Sequence, residues 1–154
     1  MINSRLISDL QPIVQRKAID FLAKCGEQGI EVIVTSTFRD FESQAALYAI
    51  GRTVKGADAI PVVRPMGRCV TWVGPGFSYH NWRCAFDFVP LRYGKAVWGT
   101  SGADLALWMN CGTIAESFGL EWAGRWPKNT REFPHLQYTG GLTLADLQSG
   151  RVIT

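Results

Sequence analysis

The sequence has no pair of closely spaced cysteines and only two histidines, and this scarcity limits the metal sites it can form. Its four cysteines, Cys25, Cys69, Cys84 and Cys111, stand far apart in the chain. Zinc ribbons and dithiol redox motifs need a C-x-x-C pair, so neither is indicated. We expect the four thiols to be buried and reduced, as is usual for proteins that fold in a reducing compartment.

The sequence also lacks a continuous apolar run at its start or elsewhere. Its first ten residues carry Arg5 and Asp9 among apolar side chains, which is unlike a secretory signal. No other stretch is long enough to span a bilayer. We therefore expect synthesis in the cytosol and no stable insertion into a membrane.

No long block of charge of one sign is present. The formal net charge is +3, and the basic residues are scattered among acidic ones. Such a surface attracts anionic polymers only weakly. Because the sequence has neither a basic stripe nor a known nucleic-acid motif, we expect no nucleic-acid partner.

What is present is the composition of one folded domain. The chain has 154 residues, of which 47% are hydrophobic and 19% are charged. A chain of this length can bury one substantial core. With no internal repeat and no linker, the sequence predicts a single domain over residues 1–154.

Hydrophobic periodicity and turn residues predict alternating helices and short strands. One helix, or two interrupted at Pro12, is expected from about Ser4 to Cys25. Further helices are predicted over 41–51, 103–118 and 143–149, and strands over 31–36, 68–73, 84–89, 120–122 and 135–138. Residues 52–77 form a long segment without clear periodicity, which is often functional in a compact domain. The predicted class is α+β with a small antiparallel sheet.

Each of the two histidines stands close to a carboxylate. His80 precedes Asp87 by seven residues, and His135 follows Glu132 by three. Two imidazoles and one carboxylate are a typical ligand set of catalytic zinc, and a further carboxylate can serve as general base. Spacing alone leaves open that both histidines are hydrogen-bonded structural residues.

Asp87 is an unusual residue for its position in a predicted strand. It lies between Phe86 and Phe88, where an unpaired buried carboxylate would be costly. Asp87 therefore needs a partner. A metal ion would serve, and so would the guanidinium group of Arg39 or Arg83.

Four segments follow one another in an order that is specific to one peptidase family. Residues 78–87 (SYHNWRCAFD) resemble the signature S-x-H-x-x-G-x-A-x-D. Residues 36–48 are similar to S-x-x-R…Q…L-Y, residues 119–126 to G-L-x-W-G-G-x-W, and residues 132–135 to an acidic residue followed by x-x-H. Together they resemble the M15 peptidases, the family of D-alanyl-D-alanine carboxypeptidases and phage L-alanyl-D-glutamate endolysins. The resemblance covers roughly residues 35–137.

Three residues depart from the family pattern. Arg83 and Ala123 stand where the family usually has glycine, and Arg125 stands where phage members commonly carry aspartate. A glycine often marks a positive φ or a close approach of two backbones, which arginine tolerates poorly.

The resemblance implies a role for each candidate residue. His80, Asp87 and His135 would bind one zinc ion (Zn²⁺), Glu132 would act as general base, and Arg39 would stabilise the oxyanion. It also implies an α+β fold of the Hedgehog/DD-peptidase type.

Five residues in or beside the matching segments are candidates for contact with the substrate. They are Gln44, Ser78, Trp82, Trp122 and Trp126. Core packing is the alternative for each tryptophan. Ser78 is expected to hydrogen-bond within its loop, because no histidine is left to activate it as a nucleophile.

The expected function is that of a phage-type endolysin that cuts the peptide stem of peptidoglycan, with L-alanyl-D-glutamate as the favoured bond. We expect a monomer without a separate wall-binding domain, held in the host cytoplasm until the membrane is permeabilised. One alternative is a D-alanyl-D-alanine peptidase of the same family. Another is a non-catalytic, zinc-containing wall-binding module, which would not require Glu132.

Overall fold

The first long helix begins where the sequence places a proline. A computed structural model describes residues 1–50, 52 and 71–154 of the chain. In it, a short 3₁₀ helix, Ile7–Asp9, is followed by helix α1, Pro12–Glu27. Pro12 occupies the first turn of α1, where its missing N–H removes no intrahelical hydrogen bond. The predicted interruption is therefore the start of the helix.

Within the described residues, the sheet has five strands, and every pair of neighbouring strands is antiparallel. The strands are β1 (Glu31–Ser36), β2 (Ala85–Arg92), β3 (Lys95–Ala96), β4 (Glu121–Trp122) and β5 (His135–Gln137). Their order is β1-β2-β5-β4, with β3 paired to the end of β2. The predicted α+β class with a small antiparallel sheet is confirmed.

Two details of the sheet differ from the sequence-based prediction. Strand β2 continues to Arg92 and turns through Tyr93 and Gly94 into β3, which the sequence pattern did not indicate. Residues 71–73 are not in a strand, and the remainder of the predicted strand 68–73 lies outside the described residues.

The described part of the chain has three further helices, α2 (Phe41–Ala49), α3 (Gly102–Ser117) and α4 (Leu144–Gln148), of which α3 packs against β2 and β4. Asp40 caps α2, because its Oδ1 accepts a hydrogen bond of 2.8 Å from the backbone N–H of Ser43. In the described ranges, we find no helix with the length and apolar character that crossing a bilayer requires.

The core lies between the sheet and helices α1 and α3. The buried residues of α1, Val14, Ala18, Phe21 and Cys25, recur at steps of three and four and form one face. Phe88 of β2 joins the two helices, since its ring centroid lies 5.2 Å from those of both Phe21 and Trp108.

Trp122, a residue of the short strand β4, packs against helix α3. Its side chain is only 1% exposed and rests against two glycines, Gly112 and Gly124. A Cβ atom at Gly112 would lie 2.1 Å from the indole ring, and one at Gly124 would lie 2.2 Å from it. The indole N–H donates a hydrogen bond of 2.8 Å to the carbonyl oxygen of Phe133. Trp122 thus holds the loop that leads into β5.

Arg83 adopts the left-handed conformation for which glycine is suited. Its φ is 60°, at the end of a 3₁₀ helix, Tyr79–Trp82. The side chain compensates with contacts of its own. Nη1 donates a hydrogen bond of 2.7 Å to the Asp9 carbonyl, and the guanidinium group lies 3.8 Å from the centre of the Phe38 ring.

Cys25, Cys84 and Cys111 are free and buried, as predicted, whereas Cys69 lies outside the described residues. Burial raises the pKa of the Cys84 thiol to about 11, against the opposing hydrogen bond from Gln11. Cys84 is therefore a neutral thiol at ordinary pH.

Candidate metal centre

The register of the sheet brings together two of the matching segments, residues 78–87 and residues 132–135. Asp87 of β2 is paired with His135 of β5 on one side and with Ser36 of β1 on the other. His135 lies 48 residues after Asp87 in sequence, yet the two are direct cross-strand neighbours. Side chains that face each other in this way are within contact distance.

His80 reaches the same place from the 3₁₀ helix that precedes β2. Ser78 caps this helix, with its hydroxyl accepting a hydrogen bond of 3.3 Å from the backbone N–H of His80. Nδ1 of His80 lies 2.8 Å from the carbonyl oxygen of Thr37, so it is the protonated nitrogen. Nε2 then faces Asp87, at 3.2 Å from its Oδ1.

His80, Asp87 and His135 converge on one point. One nitrogen of each imidazole and one carboxylate oxygen all lie within 4.8 Å of one another. Nδ1 of His135 is 3.4 Å from Oδ1 of Asp87, and the two imidazole rings are 5.2 Å apart at an angle of 70°. In each histidine one nitrogen faces a protein acceptor and the other faces Asp87. These residues therefore fit a divalent metal ion.

Asp87 is held in its charged form. Burial alone would raise the pKa of its carboxyl group, but the neighbouring imidazoles of His80 and His135 outweigh burial and lower the pKa well below the usual range. For His135, burial lowers the pKa, while contact with the negative charge of Asp87 raises it, with a net rise. The site thus offers a negative charge to a cation.

Arg39 lies beside the three residues. Its Nη2 is 4.0 Å from Oδ2 of Asp87 and donates a hydrogen bond of 3.2 Å to the hydroxyl of Ser36. Burial lowers the pKa of Arg39, opposed by the charges of Asp87 and Glu132. An arginine stays protonated even so. Of the two arginines considered as partners for Asp87, Arg39 is near it, whereas Arg83 hydrogen-bonds to the Asp9 carbonyl.

Gln44 supports Arg39 from inside the protein. Its Oε1 accepts a hydrogen bond of 2.9 Å from Nη1 of Arg39, and its amide nitrogen donates to the Val73 carbonyl at 2.7 Å. The side chain is completely buried. The prediction that Gln44 contacts the substrate is therefore wrong, because a buried side chain with these partners positions Arg39 instead.

Glu132 stands at the edge of the site. The backbone N–H of His135 donates to the Glu132 carbonyl at 3.3 Å, which closes a turn, so the two residues do not share a helix, as predicted. Oε2 of Glu132 lies 3.9 Å from Nδ1 of His135, and the side chain is 47% exposed. A carboxylate placed here can reach a water molecule near the three converging residues.

The site opens into a cavity of about 620 Å³. Its wall carries the aromatic side chains Trp72, Phe77, Trp98 and Trp126, of which Trp126 lies 5.6 Å from the His135 ring. Ser78 also lines the cavity, in addition to capping its helix. Two arginines, Arg39 and Arg131, bring positive charge to the cavity.

The structure corrects two of the candidate substrate contacts. Trp122 is buried in the core, so the prediction that it contacts the substrate is wrong. Trp82 packs edge-on against Phe41, with ring centroids 5.6 Å apart, and is not part of the cavity wall. Trp98 and Arg131 line the cavity, but no motif of the sequence marks them. Only the folding of their loops toward the site reveals them.

Two comparisons place the chain among known proteins. Residues 73–138 match a protein-family model described as D-alanyl-D-alanine carboxypeptidase. The peptidoglycan L-alanyl-D-glutamate endopeptidase CwlK of Bacillus subtilis (strain 168) is 35% identical over 136 residues, which cover 84% of this chain and 74% of CwlK. The chain belongs to the M15 family of peptidases. The M15 match contains His80, Asp87, Glu132 and His135, whereas Arg39 precedes it.

A solved structure shows the same fold. The crystal structure of the Serratia marcescens L-Ala D-Glu endopeptidase ChiX aligns with a TM-score of 0.57 and 18% sequence identity, covering 87% of this chain and 84% of ChiX. M15 peptidases are metallopeptidases, and the group formed by His80, Asp87 and His135 in this M15 peptidase could hold the metal.

Proposed function

We propose that this M15 peptidase is a zinc-dependent endopeptidase of peptidoglycan, with the L-alanyl-D-glutamate bond of the peptide stem as its target. One observation carries the proposal. His80, Asp87 and His135 converge at the floor of an open cavity, with Glu132 and Arg39 beside them. The activity printed for CwlK supports the choice of bond.

The three converging residues are the proposed zinc ligands. His80 would bind through Nε2 and His135 through Nδ1, because the other nitrogen of each ring faces a protein acceptor. Asp87 would contribute a carboxylate oxygen. Two histidines and one carboxylate suit zinc and leave a position open. A bound zinc ion would act as a Lewis acid on the scissile carbonyl and on the attacking water.

Glu132 is the proposed general base. It would accept a proton from the attacking water and return it to the nitrogen of the leaving amine, so that the amide bond breaks without releasing an unstable anion. Its half-exposed position at the edge of the cavity suits a group that must meet both water and substrate.

Arg39 is the proposed oxyanion stabiliser. As water adds to the scissile carbonyl, its oxygen gains negative charge, and a fixed positive group lowers the energy of that state. Gln44 and Ser36 hold the guanidinium group in place before the substrate arrives, so little reorganisation is needed during the reaction.

The cavity also suits an anionic peptide. Arg131 adds positive charge to the wall, and D-glutamate brings carboxylate groups to the stem. The exposed indoles of Trp72 and Trp98 offer flat apolar surface beside that charge. Pockets for small polar ligands commonly combine aromatic walls with a few charged groups.

Mass spectrometry of fragments released from purified peptidoglycan tests the proposal. We expect new amino groups on D-glutamate and no new reducing sugars, since the site supports hydrolysis of an amide. Release of reducing sugars without new amino groups would refute a peptidase. Loss of cleavage in chelator, restored by zinc and not by magnesium, is the expected metal dependence.

A second candidate is a D-alanyl-D-alanine carboxypeptidase, which is the description of the matching family model. Such an enzyme needs a cation for the terminal carboxylate of its substrate. Four arginines of the sequence could supply this cation: Arg83 is bonded to Asp9 and Arg125 is paired with Glu116, whereas Arg64 and Arg68 lie outside the described residues. Release of free D-alanine from a pentapeptide stem would favour this candidate.

A phage-type lysis role, a monomeric state and a host-cytoplasmic location before lysis stay predictions from the sequence. A non-catalytic wall-binding module is the least favoured function, because Glu132 lies where a general base is needed. Expression in bacteria with and without a membrane-permeabilising agent tests the lysis role. We expect lysis only when the membrane is permeabilised.

A further inference from the structure

We infer that Gln137 and Glu121 are positioning residues that fix the ring of His135 in one tautomer, with its proton on Nε2 and its lone pair on Nδ1. This inference rests on the proposed function to the extent that His135 is a metal ligand. Gln137 contacts the converging group at His135, and Glu121 contacts Gln137. They act through His135.

The three side chains form a continuous chain of hydrogen bonds. Nε2 of His135 lies 2.8 Å from Oε1 of Gln137, and Nε2 of Gln137 donates to Oε2 of Glu121 at 2.6 Å. His135 and Gln137 are two residues apart on β5 and so share one face of the strand. Glu121 of β4 is the cross-strand neighbour of Gln137. The sheet itself therefore aligns the chain.

The direction of each hydrogen bond follows from the carboxylate at the end. An ionised carboxylate can only accept, so Glu121 attracts the NH₂ group of the Gln137 amide. The amide oxygen of Gln137 must then point at His135. An oxygen can only accept as well, so Nε2 of His135 must carry the proton. Nδ1 is left with its lone pair, and it is the nitrogen that faces Asp87 at 3.4 Å.

The other histidine shows why the carboxylate is needed. Nδ1 of His80 faces the backbone carbonyl of Thr37, which is an acceptor by nature and cannot turn round. Gln137 could turn its amide by 180° and present NH₂ groups to His135. Glu121 makes that orientation unfavourable, because it would place the amide oxygen against a carboxylate. The Glu121 carboxylate thus keeps the amide oxygen of Gln137 facing His135, just as the peptide bond keeps the Thr37 carbonyl an acceptor for His80.

The two ends of the hydrogen-bond chain differ in their exposure to solvent. His135 and Gln137 are 7% and 6% exposed, so water has little access to compete for their hydrogen bond. Glu121 is exposed and lies on the wall of a second cavity of about 290 Å³, which Gln137 also lines. The carboxylate can therefore keep contact with water while it orients a buried amide. Substitution of Glu121 should leave the core intact.

Three variants separate positioning from general stability. Gln137→Met removes the acceptor at similar size, and Glu121→Gln removes the orienting charge with no change of shape. The double variant Glu121→Gln/Gln137→Glu exchanges the two groups. The carboxylate at position 137 then accepts from His135, and the amide at position 121 donates to that carboxylate. Glu116→Gln is the control. Glu116 lies on α3, is paired with Arg125 and takes no part in the chain of hydrogen bonds.

Two measurements are made on each variant. NMR of ¹⁵N-labelled, metal-free protein, at a pH high enough for His135 to be neutral, reports which nitrogen of His135 carries the proton, and competition with a chelator gives the Kd for zinc. In the wild type and the Glu116→Gln control we expect the Nε2–H tautomer. In Gln137→Met we expect a mixture of tautomers and zinc binding weaker by about 10–100-fold, the usual effect of removing such an outer partner. Glu121→Gln should give a smaller change in the same direction.

The exchange variant decides the matter. It should restore the Nε2–H tautomer and bring the Kd for zinc close to the wild-type value. Gln137→Met with a wild-type tautomer or a wild-type Kd would overturn the inference, as would an exchange variant no better than Glu121→Gln alone. If Gln137→Met does not fold, the comparison of Glu121→Gln with the exchange variant still decides. A wild type with the Nε2–H tautomer but no zinc binding or cleavage would instead refute the proposed function.

Discussion

Nη1 of Arg39 donates a hydrogen bond of 2.9 Å to the side-chain oxygen of Gln44, a residue completely buried on helix α2. Ser36 supports Nη2 of the same guanidinium group. Among the described residues, Nε of Arg39 is buried without a hydrogen-bond partner. The position of this charge thus depends on few contacts, and Gln44 provides one of the shortest.

Replacement of Gln44 should therefore reduce catalysis without removing the metal. For Gln44→Leu we expect kcat to fall by about 10–100-fold, because a misplaced guanidinium group stabilises the oxyanion poorly. The zinc content should not change. In an Arg39→Met background, Gln44→Leu should cause little further loss, since it acts through Arg39. Equal losses of kcat in both backgrounds would contradict this role.

Glu132 and His135 should respond differently to substitution. Glu132→Gln should keep fold and zinc but lower kcat by at least about 10²–10⁴-fold, because proton transfer is lost. His135→Ala should lose zinc as well. Elemental analysis and turnover of both variants check the prediction. A zinc-loaded Glu132→Gln protein with near-normal turnover would contradict the assignment of Glu132 as the base. Loss of zinc in that variant would instead make Glu132 a ligand and reopen the role of Asp87.

The left-handed backbone at position 83 should make glycine more stable than alanine there. Arg83→Ala and Arg83→Gly lose the same contacts with Asp9 and Phe38, but only the glycine is free of strain at a φ of 60°. We expect the glycine variant to be more stable than the alanine variant by about 1 kcal/mol. Urea denaturation measures the difference. An alanine variant as stable as the glycine variant would contradict the assigned strain.

The contact between Gly112 and Trp122 should make Gly112→Ala destabilising, although alanine favours a helix more than glycine does. In Gly112→Ala the added Cβ would overlap the buried indole ring, so the free energy of unfolding should fall by about 1–3 kcal/mol. Gly26→Ala on α1 is the matched control, because a Cβ there meets no atom within 4 Å. The control should be neutral or slightly stabilising. Thermal unfolding of both variants tests the core position of Trp122.

The cap at Asp40 should make stability depend on pH. The backbone N–H of Ser43 is the main cause that lowers the pKa of Asp40 below its ordinary value of 3.8. A lowered pKa in the folded state means that the carboxylate adds stability above pH 3.8, and that this part is lost as the pH falls through the folded pKa. Asp40→Asn should flatten this part of the profile. Urea denaturation of the wild type and of Asp40→Asn at a series of pH values measures the difference.

Much of the fold and of the candidate site was predictable because the signals are local. Pro12 and Asp40 mark helix starts through their own backbone and side-chain chemistry. Asp87 stood out as a carboxylate in an apolar strand, and the motif order grouped it with His80 and His135. The structure places these three together.

The direction in which a side chain faces was not predictable in the same way. Trp122 and Trp126 belong to one motif, yet Trp122 fills the core and Trp126 lines the cavity. Both are large amphipathic rings, and their local sequence does not distinguish the two environments. The Trp122 ring lies in the core because Gly112 on α3, which has no Cβ, leaves space for it.

The sequence by itself determined the helix start after Asp40, most of the strand-forming runs and the set of chemically active residues, because each depends on a residue and its near neighbours. Only the tertiary structure decided that Gln44 holds Arg39 and that Gln137 and Glu121 orient His135. These contacts depend on strand register and helix packing. Register is a long-range property, set when the apolar faces of distant segments are buried together, and no local pattern contains it.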